Sequence, residues 1–307
     1  NRLLRINANY FTQKTSGLLT QGASTIYPSF FDLGTDLSFL PWINYNEDKR
    51  TGFDFSLSAN KKIGDFDVTL GFNGMVFSSK ASIRDEVANE SYLLRQGRAL
   101  DATYGYVCEG FFQAQADIEK HAKQTFGTVR PGDLKYKDIN GDGVINADDQ
   151  GMISEYGGNP RIQYGFGLNI NYKKFDLGVF FNGSAMRKIM LTGIHPFGES
   201  DYNIFKFVAK DYWTEANPNP NAAYPRLGLQ KANSDNNVVP STFWMRNGNF
   251  LRFKTLEIGY RFCRYGRIYV TGDNLAVFSP FKEWDPELEW YKYPLQRTFN
   301  IGLQLNF

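Results

Sequence analysis

The end of the chain alternates strictly between apolar and polar or small residues. Over residues 299–307 one set of alternate positions carries only large apolar side chains, namely Phe299, Ile301, Leu303, Leu305 and Phe307. The intervening positions carry Asn, Gly, Gln and Asn. Because successive side chains of a strand point to opposite faces, this segment is predicted to be a strand with one apolar and one polar face. A soluble sandwich strand shows the same pattern, so the rest of the chain must decide between them.

The same alternation returns in three pairs of segments, each of which reads as a hairpin. They cover residues 53–60 with 66–73, 162–172 with 175–181, and 256–262 with 268–270. With an opening strand near residues 2–10 and the final one, about eight strands of roughly ten residues are predicted. A strand of that length, tilted by about 45°, crosses an apolar band of about 25 Å.

The connections between these segments alternate in length. The turns after Asn60, Tyr172 and Phe262 are short, whereas the other connections, at about 13–50, 79–161, 187–249 and 277–295, are long. Short turns on one rim and long loops on the other are typical of outer-membrane barrels, in which the long loops face outside. The prediction is an all-β protein, an antiparallel transmembrane β-barrel that crosses the bacterial outer membrane many times.

Composition agrees with this fold class. The chain has 307 residues, a formal net charge of +2, 29 glycines and many aromatic residues, and no apolar run is long enough for a membrane helix. Near-neutral charge gives no reason to expect a nucleic-acid partner. The chain opens in mid-strand without a leader. We therefore expect a piece of a longer protein, and a self-contained small barrel is the alternative.

A short loop has the spacing of a calcium site. Residues 138–149 read DINGDGVINADD, with Gly143 at the sharp turn and Ile145 predicted to point inward. Calcium prefers many oxygen ligands on a curved backbone. The predicted ligands of a structural Ca²⁺ are Asp138, Asn140, Asp142, the Val144 carbonyl, Asn146 and Asp149. The last is Asp where such loops usually have Glu, and the alternative is a turn that binds no metal.

Seven segments resemble, in order, the C-terminal half of SusC/RagA-family TonB-dependent outer-membrane transporters of Bacteroidota. They begin with RTGFDF at 50–55, similar to the family's strand start NKGFEF. The others are PGDLKYKDINGDG at 131–143, YKKFDL at 172–177 leading to FNG at 181–183, YWTEANP at 212–218, AYPRL at 223–227, FLRFKTLEIGY at 250–260 and VTGDNL at 270–275. Each segment alone is weak, but seven in the family's order are specific.

The resemblance implies a barrel of about 22 strands that holds an N-terminal plug. It also implies energy supplied by TonB and a SusD-like surface lipoprotein that opens like a lid. On this alignment the chain is about the last eight strands, and the plug and the TonB-contacting segment are absent from it. The expected function is import of oligosaccharides or peptides.

Two aromatic-rich segments are candidates for contact with cargo or partner. The first long connection carries Trp42 and Tyr45, and the last carries Trp284, Trp290, Tyr291 and Tyr293. Aromatic faces stack on sugars and anchor protein interfaces, but they also form girdles at membrane boundaries. Residues 202–213 have helical spacing and predict a short helix at the barrel mouth.

No catalytic pattern is present in the sequence. The two histidines, His121 and His195, lie in unrelated loops, and neither belongs to a metal or nucleophile motif. The chain is therefore predicted not to be an enzyme. Besides the transporter, two functions stay open: a passive small barrel or porin, and a soluble all-β binding module with a calcium loop.

Overall fold

The computed structural model describes residues 3–21, 41–191, 204–228, 235–288 and 292–306. Within these ranges, no helix has both the length and the apolar character that a membrane crossing requires. The chain is all-β, as predicted, and its main element is one antiparallel sheet of eight strands. In spatial order they are β1 (Leu4–Gln21), β2 (Trp42–Ile63), β3 (Phe66–Ile83), β10 (Ile162–Tyr172), β11 (Phe175–Ala185), β14 (Phe250–Arg261), β15 (Gly266–Phe278) and β16 (Thr298–Leu305).

The smaller elements all belong to the long connections. Residues 84–161 contain β4 (Thr103–Gly105), β5 (Cys108–Phe111), α1 (Gln115–Lys120), β6 (Lys123–Gln124), β7 (Leu134–Tyr136), β8 (Val144–Ile145) and β9 (Gly151–Ser154). The next long connection contains β12 (Lys188–Met190), α2 (Asp235–Val238) and β13 (Met245–Asn247). They form four two-stranded sheets, in which β4 pairs with β9, β5 with β7, β6 with β8 and β12 with β13.

The first three strands are much longer than the predicted ten residues. β1 has 18 residues, β2 has 22 and β3 has 18. Thr12 still pairs with Thr51 and Gln21 with Trp42, so residues 13–21 and 42–50, the two ends of the segment predicted as a loop, are strand. The polar composition of these outer strand ends concealed them, because they extend beyond any apolar band.

One face of the eight-stranded sheet is apolar and exposed. Its large side chains include Ile6, Leu57, Leu70, Ile258, Val270 and Ile301, and the last is 78% exposed. At the short-turn end this face carries a row of aromatic rings, with Phe66 stacked on Tyr172 at 4.3 Å and Phe175 against Tyr260 at 4.8 Å. An exposed apolar band bordered by aromatic rings is typical of a lipid-facing barrel wall.

The buried core lies outside this sheet, in the long connections. We call the described parts of residues 84–161 and 186–249 the loop domain. Its core contains Tyr106, Phe111, Leu134, Tyr136, Ile145, Ile189, Leu191, Val208, Trp213, Ala222, Tyr224 and Trp244, together with Phe281 from the last connection. Ile145 is completely buried, as the spacing of its loop predicted.

The helix predicted over 202–213 is wrong for the part that the structure describes. Residues 206–210 form turns, and the amides of Val208 and Ala209 both donate to the Phe205 carbonyl at 3.0 Å. Val208 is nonetheless buried in the core of the loop domain. The apolar spacing of this segment therefore indicated the burial of Val208 correctly but predicted the wrong secondary structure.

Candidate functional site

The second face of the eight-stranded sheet is polar and its side chains are linked across strands. Asn9 donates to Asp54 at 2.8 Å and Asn7 to the Ser56 hydroxyl at 3.1 Å. Near the middle of the sheet, a depression of about 410 Å³ is lined by Asp54, Ser56, Asn73, Gln163 and Asn182 among others. Hydrogen-bonding groups of mixed donor and acceptor character suit the wall of an aqueous passage.

Toward the short turns, the polar face carries a charged group. Arg267 forms ion pairs with Asp176 and, at 2.5 Å, with Glu257, so that one guanidinium joins three neighbouring strands. These residues line a second depression of about 590 Å³. Because Arg267 pairs with both carboxylates, it offsets one of their two negative charges at this end of the wall.

At the opposite rim, three arginines tie the long connections to the ends of the strands. Arg161, just before β10, pairs with Asp101. Arg187, just after β11, donates from Nε to the Gly158 carbonyl at 2.8 Å and contacts the Pro286 carbonyl of the last connection.

Arg252 of β14 is the third anchor. It is 3% exposed, and it pairs with Asp285 at 2.5 Å and with Glu287 at 2.7 Å. Since Arg252 lies opposite Asn182 on the polar face, these contacts draw residues 285–287 in over the mouth of the sheet. None of these three arginines was predicted from the sequence. The sequence feature that could have identified them is an arginine near each junction between a strand and a long connection.

The loop domain is held together by a buried polar network. Asp133 is completely buried and pairs with Arg226 at 2.7 Å, and Asn237 donates to it at 2.7 Å. Burial raises the pKa of Asp133 above its usual value, while the nearby Arg226 guanidinium opposes that shift. Gln124 donates to the Asn236 side chain at 2.5 Å, which links the two halves of the domain a second time.

The six predicted metal ligands lie in one continuous loop whose turns are closed by side-chain acceptors. Asp138 accepts hydrogen bonds from the amides of Gly141 at 2.7 Å and Gly143 at 2.9 Å. The two ends of the loop are joined because Asp149 accepts from the Ile139 amide at 2.7 Å. Gly141 and Gly143 have φ values of 78° and 83°, the left-handed conformation that glycine adopts without strain.

Within the described ranges, no three His, Cys, Asp or Glu side chains come together as a ready set of metal ligands. The loop instead alternates carboxylates with amides and carbonyls, and an ionised carboxylate has about four acceptor sites. Asp142, for example, accepts from the Val144 amide at 2.7 Å and from the Asn140 side chain at 3.0 Å. Acceptor capacity therefore remains on these oxygens.

The structure separates the two groups of predicted aromatic contacts. Trp42 and Tyr45 are exposed on β2, near one edge of the sheet, whereas Tyr293 is exposed just before β16, at the other edge. Trp284 packs against the core of the loop domain and donates to the Lys292 carbonyl at 2.6 Å, so its indole has a structural role. Trp290 and Tyr291 lie outside the described residues.

Comparison with known proteins agrees with this architecture. The chain is 24% identical over 99% of its length to TonB-dependent receptor P3 of Formosa agariphila, and 25% identical over 66% of its length to TonB-dependent receptor SusC of Bacteroides thetaiotaomicron. Its sequence homologues are TonB-dependent receptors, SusC among them. It spans about a third of the receptor P3 (32%) and a fifth of SusC (20%).

The fold of the chain is also similar to solved structures. Structures of the RagAB peptide transporter superpose with a TM-score of 0.69 at 20% identity, over 100% of this chain and 34% of that one. The RagAB peptide importer in its open-open state superposes with a TM-score of 0.67. No protein-family model matches the chain.

The homologues also indicate the location of the chain. The chain is an outer-membrane protein, and its apolar sheet face is the lipid-facing side. Its homologues are named as receptors and transporters, not as enzymes, which fits the prediction that it does not catalyse a reaction.

Proposed function

We propose that the chain forms part of a TonB-dependent, SusC-like transporter that imports oligosaccharides or peptides across the outer membrane. One observation carries the proposal: a single sheet has an exposed apolar face and a polar face, with a separately folded loop domain at one rim. A lipid-facing wall, an aqueous passage and an external cover are the parts that such a transporter needs.

The mechanism that we propose is gated access without chemistry on the cargo. The polar face supplies one part of the passage wall. The arginine anchors hold the long connections over the mouth, so that cargo must pass a shaped cover before it reaches the wall. TonB, acting on a plug contributed by the rest of the protein, would then supply the force that opens the passage.

A SusD-like surface lipoprotein is the proposed partner. RagAB, which shares this fold, is described as a peptide importer, and this description supports peptides as cargo. The exposed aromatic side chains Trp42, Tyr45 and Tyr293 suit sugars equally well, because both sugar rings and partner proteins pack on aromatic faces. Both peptides and oligosaccharides are therefore included in the test.

The test uses the full-length protein purified from outer membranes under mild detergent. Mass spectrometry should find a surface lipoprotein that purifies with it. Cells that produce the protein should accumulate a labelled oligosaccharide or a labelled peptide mixture, and accumulation should stop when TonB is deleted. Uptake that continues without TonB would contradict the proposal and favour a passive porin.

The alternative of a small closed barrel makes a different structural prediction. It requires β1 to pair with β16, whereas in the described part of the chain these two are the outer strands of the sheet. Their unpaired edges suit pairing with further strands of a larger barrel. Cross-linking of cysteines placed on β1 and β16 in the full-length protein would favour the small barrel.

We further propose that residues 138–149 bind a structural Ca²⁺ through Asp138, Asn140, Asp142, the Val144 carbonyl, Asn146 and Asp149. The support is the number of oxygen donors on one curved loop and the acceptor capacity that their present hydrogen bonds leave. The loop contains β8, which carries the buried Ile145, so a bound ion would stiffen the core of the loop domain.

A further inference from the structure

Three lysines lie side by side on the apolar face of the sheet. Lys14 of β1 pairs directly with Lys49 of β2, and Lys49 pairs directly with Lys80 of β3. Each lies an even number of residues from an exposed apolar side chain of its own strand, so the lysines share the lipid-facing side with Tyr10, Phe53 and Val76. We call these three residues the lysine row.

The lysine row lies just beyond the apolar band, at the end of the long connections. Tyr10, Phe53 and Val76 form the last large apolar row, and a row of hydroxyls at Thr12, Thr51 and Ser78 follows it. Four residues of a strand tilted by about 45° rise about 9 Å along the membrane normal. This height places the ammonium groups among the lipid headgroups of the outer leaflet.

Two of the three charges in the row, those of Lys49 and Lys80, have no carboxylate partner among the described residues. Like charges directly opposite each other on neighbouring strands destabilise a sheet. Lys14 pairs with Glu47 at 2.8 Å. Among the described residues, Lys49 and Lys80 form no ion pair, and both are exposed. An anion from outside the chain would remove this repulsion.

A concavity beside the row has the matching shape and polarity. About 640 Å³ in volume, it is lined by Tyr10, Phe53 and Val76 and by the cations Lys80, Arg98 and Arg161, the last of which is paired with Asp101. The Arg98 carbonyl accepts a hydrogen bond from the Ala81 amide at 2.8 Å, which holds this loop arginine against β3. Glu155 also lines the concavity and is its one acidic residue among those described.

We propose that the lysine row and Arg98 bind the phosphorylated headgroup of an outer-leaflet glycolipid, whose acyl chain lies along Tyr10, Phe53 and Val76. Ammonium groups bind phosphate oxygens as point charges, and acyl chains pack on exposed apolar strands. The site lies on the outside of the wall, away from the passage. It therefore depends on the outer-membrane location of the protein and not on the identity of the cargo.

The test measures lipid retained by the full-length protein in detergent, by native mass spectrometry, with bis-phosphorylated lipid A as the probe. The triple variant Lys14→Gln, Lys49→Gln, Lys80→Gln should bind it about tenfold or more weakly than the unchanged protein. Dephosphorylated lipid A should bind weakly to both. A matched control, Lys61→Gln, Lys62→Gln, Lys174→Gln, removes three exposed charges at the short-turn end and should bind normally.

Equal binding by the triple variant, or equal binding of dephosphorylated lipid A, would overturn the proposal. The proposal would also be overturned if the triple variant kept its lipid binding but lost an acidic protein that co-purifies with the unchanged protein. That result would show that the lysine row binds a protein partner. Should the triple variant fail to assemble, Arg98→Gln alone serves, because this residue lies outside the eight-stranded sheet. It should weaken lipid binding without altering the heat-dependent gel mobility of the folded barrel.

Discussion

The carboxylate of Asp133 lies 2.7 Å from Nε of Arg226, which is 93 residues further along the chain. This contact joins two different long connections. Asp133 is completely buried and the Arg226 side chain is 14% exposed. Two loops that sequence alone describes as separate excursions are therefore one packed unit. The stability of this unit depends on keeping both partners of the pair.

Replacing Asp133 with Ala should destabilise the loop domain by about 3 to 5 kcal/mol, because the mostly buried Arg226 guanidinium loses the carboxylate that balances its charge. Limited proteolysis and hydrogen exchange of the full-length protein would measure the loss. The control Asp65→Ala removes an ion pair to Lys173 in which both side chains are over 60% exposed, and it should cost less than about 1 kcal/mol.

The double variant Asp133→Ala, Arg226→Met tests the cause of that loss. Removing both charges should recover much of the stability, since the uncompensated guanidinium is gone. If the double variant is as unstable as Asp133→Ala, the packing around Asp133 matters more than the ion pair.

The thiol of Cys108 should react with alkylating reagents only at high pH. Burial raises its pKa from 9.0 to about 11, and only the thiolate is nucleophilic. At pH 8 the thiolate fraction should therefore be about a hundredfold lower than in an ordinary cysteine. In a Cys263→Ser variant, the labelling rate should rise steadily from pH 8 to pH 11; a rate already at its maximum by pH 9 would contradict the shift.

If the apolar face contacts lipid, a charge introduced on that face should destabilise the protein more than a charge introduced on the polar face. Leu70 lies near the middle of the apolar face of β3. Leu70→Arg should destabilise the folded protein in bilayers by about 2 to 4 kcal/mol. Asn169 pairs with Thr69 in the next row of the polar face. Asn169→Arg should be tolerated, and equal costs for the two variants would show that both faces meet the same environment.

Calcium should raise the thermal stability of the loop domain. A ligand present at a hundred times its dissociation constant stabilises a protein by about 2.7 kcal/mol. Asp142→Asn should weaken this effect by removing one charged ligand. Asp148→Asn is the matched control in the same loop, because Asp148 is outside the proposed ligand set. A melting temperature that does not respond to calcium or to a chelator would exclude the site.

Loss of Arg252 should release the last connection from the mouth. Arg252→Ala leaves Asp285 and Glu287 without their shared partner, so amides 279–288 should exchange hydrogen faster than in the unchanged protein. Arg246→Ala removes a longer, partly exposed contact of 3.4 Å to Glu283 and should have a smaller effect. Equal exchange in both variants would mean that Arg252 does not anchor this segment.

The lipid-facing wall could be predicted from the sequence. Alternation with a period of two is a local property, and it placed Ile301 and Leu303 on the exposed apolar face correctly. It also gave the number of strands and the order of short and long connections. It did not detect the outer ends of β1 and β2, because polar strand residues such as Thr12 and Lys49 carry no apolar signal.

The loop domain, the arginine anchors and the lysine row were decided only by tertiary structure. Asp133 and Arg226, or Arg252 and Glu287, are distant in sequence, and no local period reports such pairs. The lysine row depends on register: Lys14, Lys49 and Lys80 become neighbours only when three strands align residue by residue. A single sequence encodes which face each side chain takes along its own strand, whereas pairing between strands and loops decides which side chains meet.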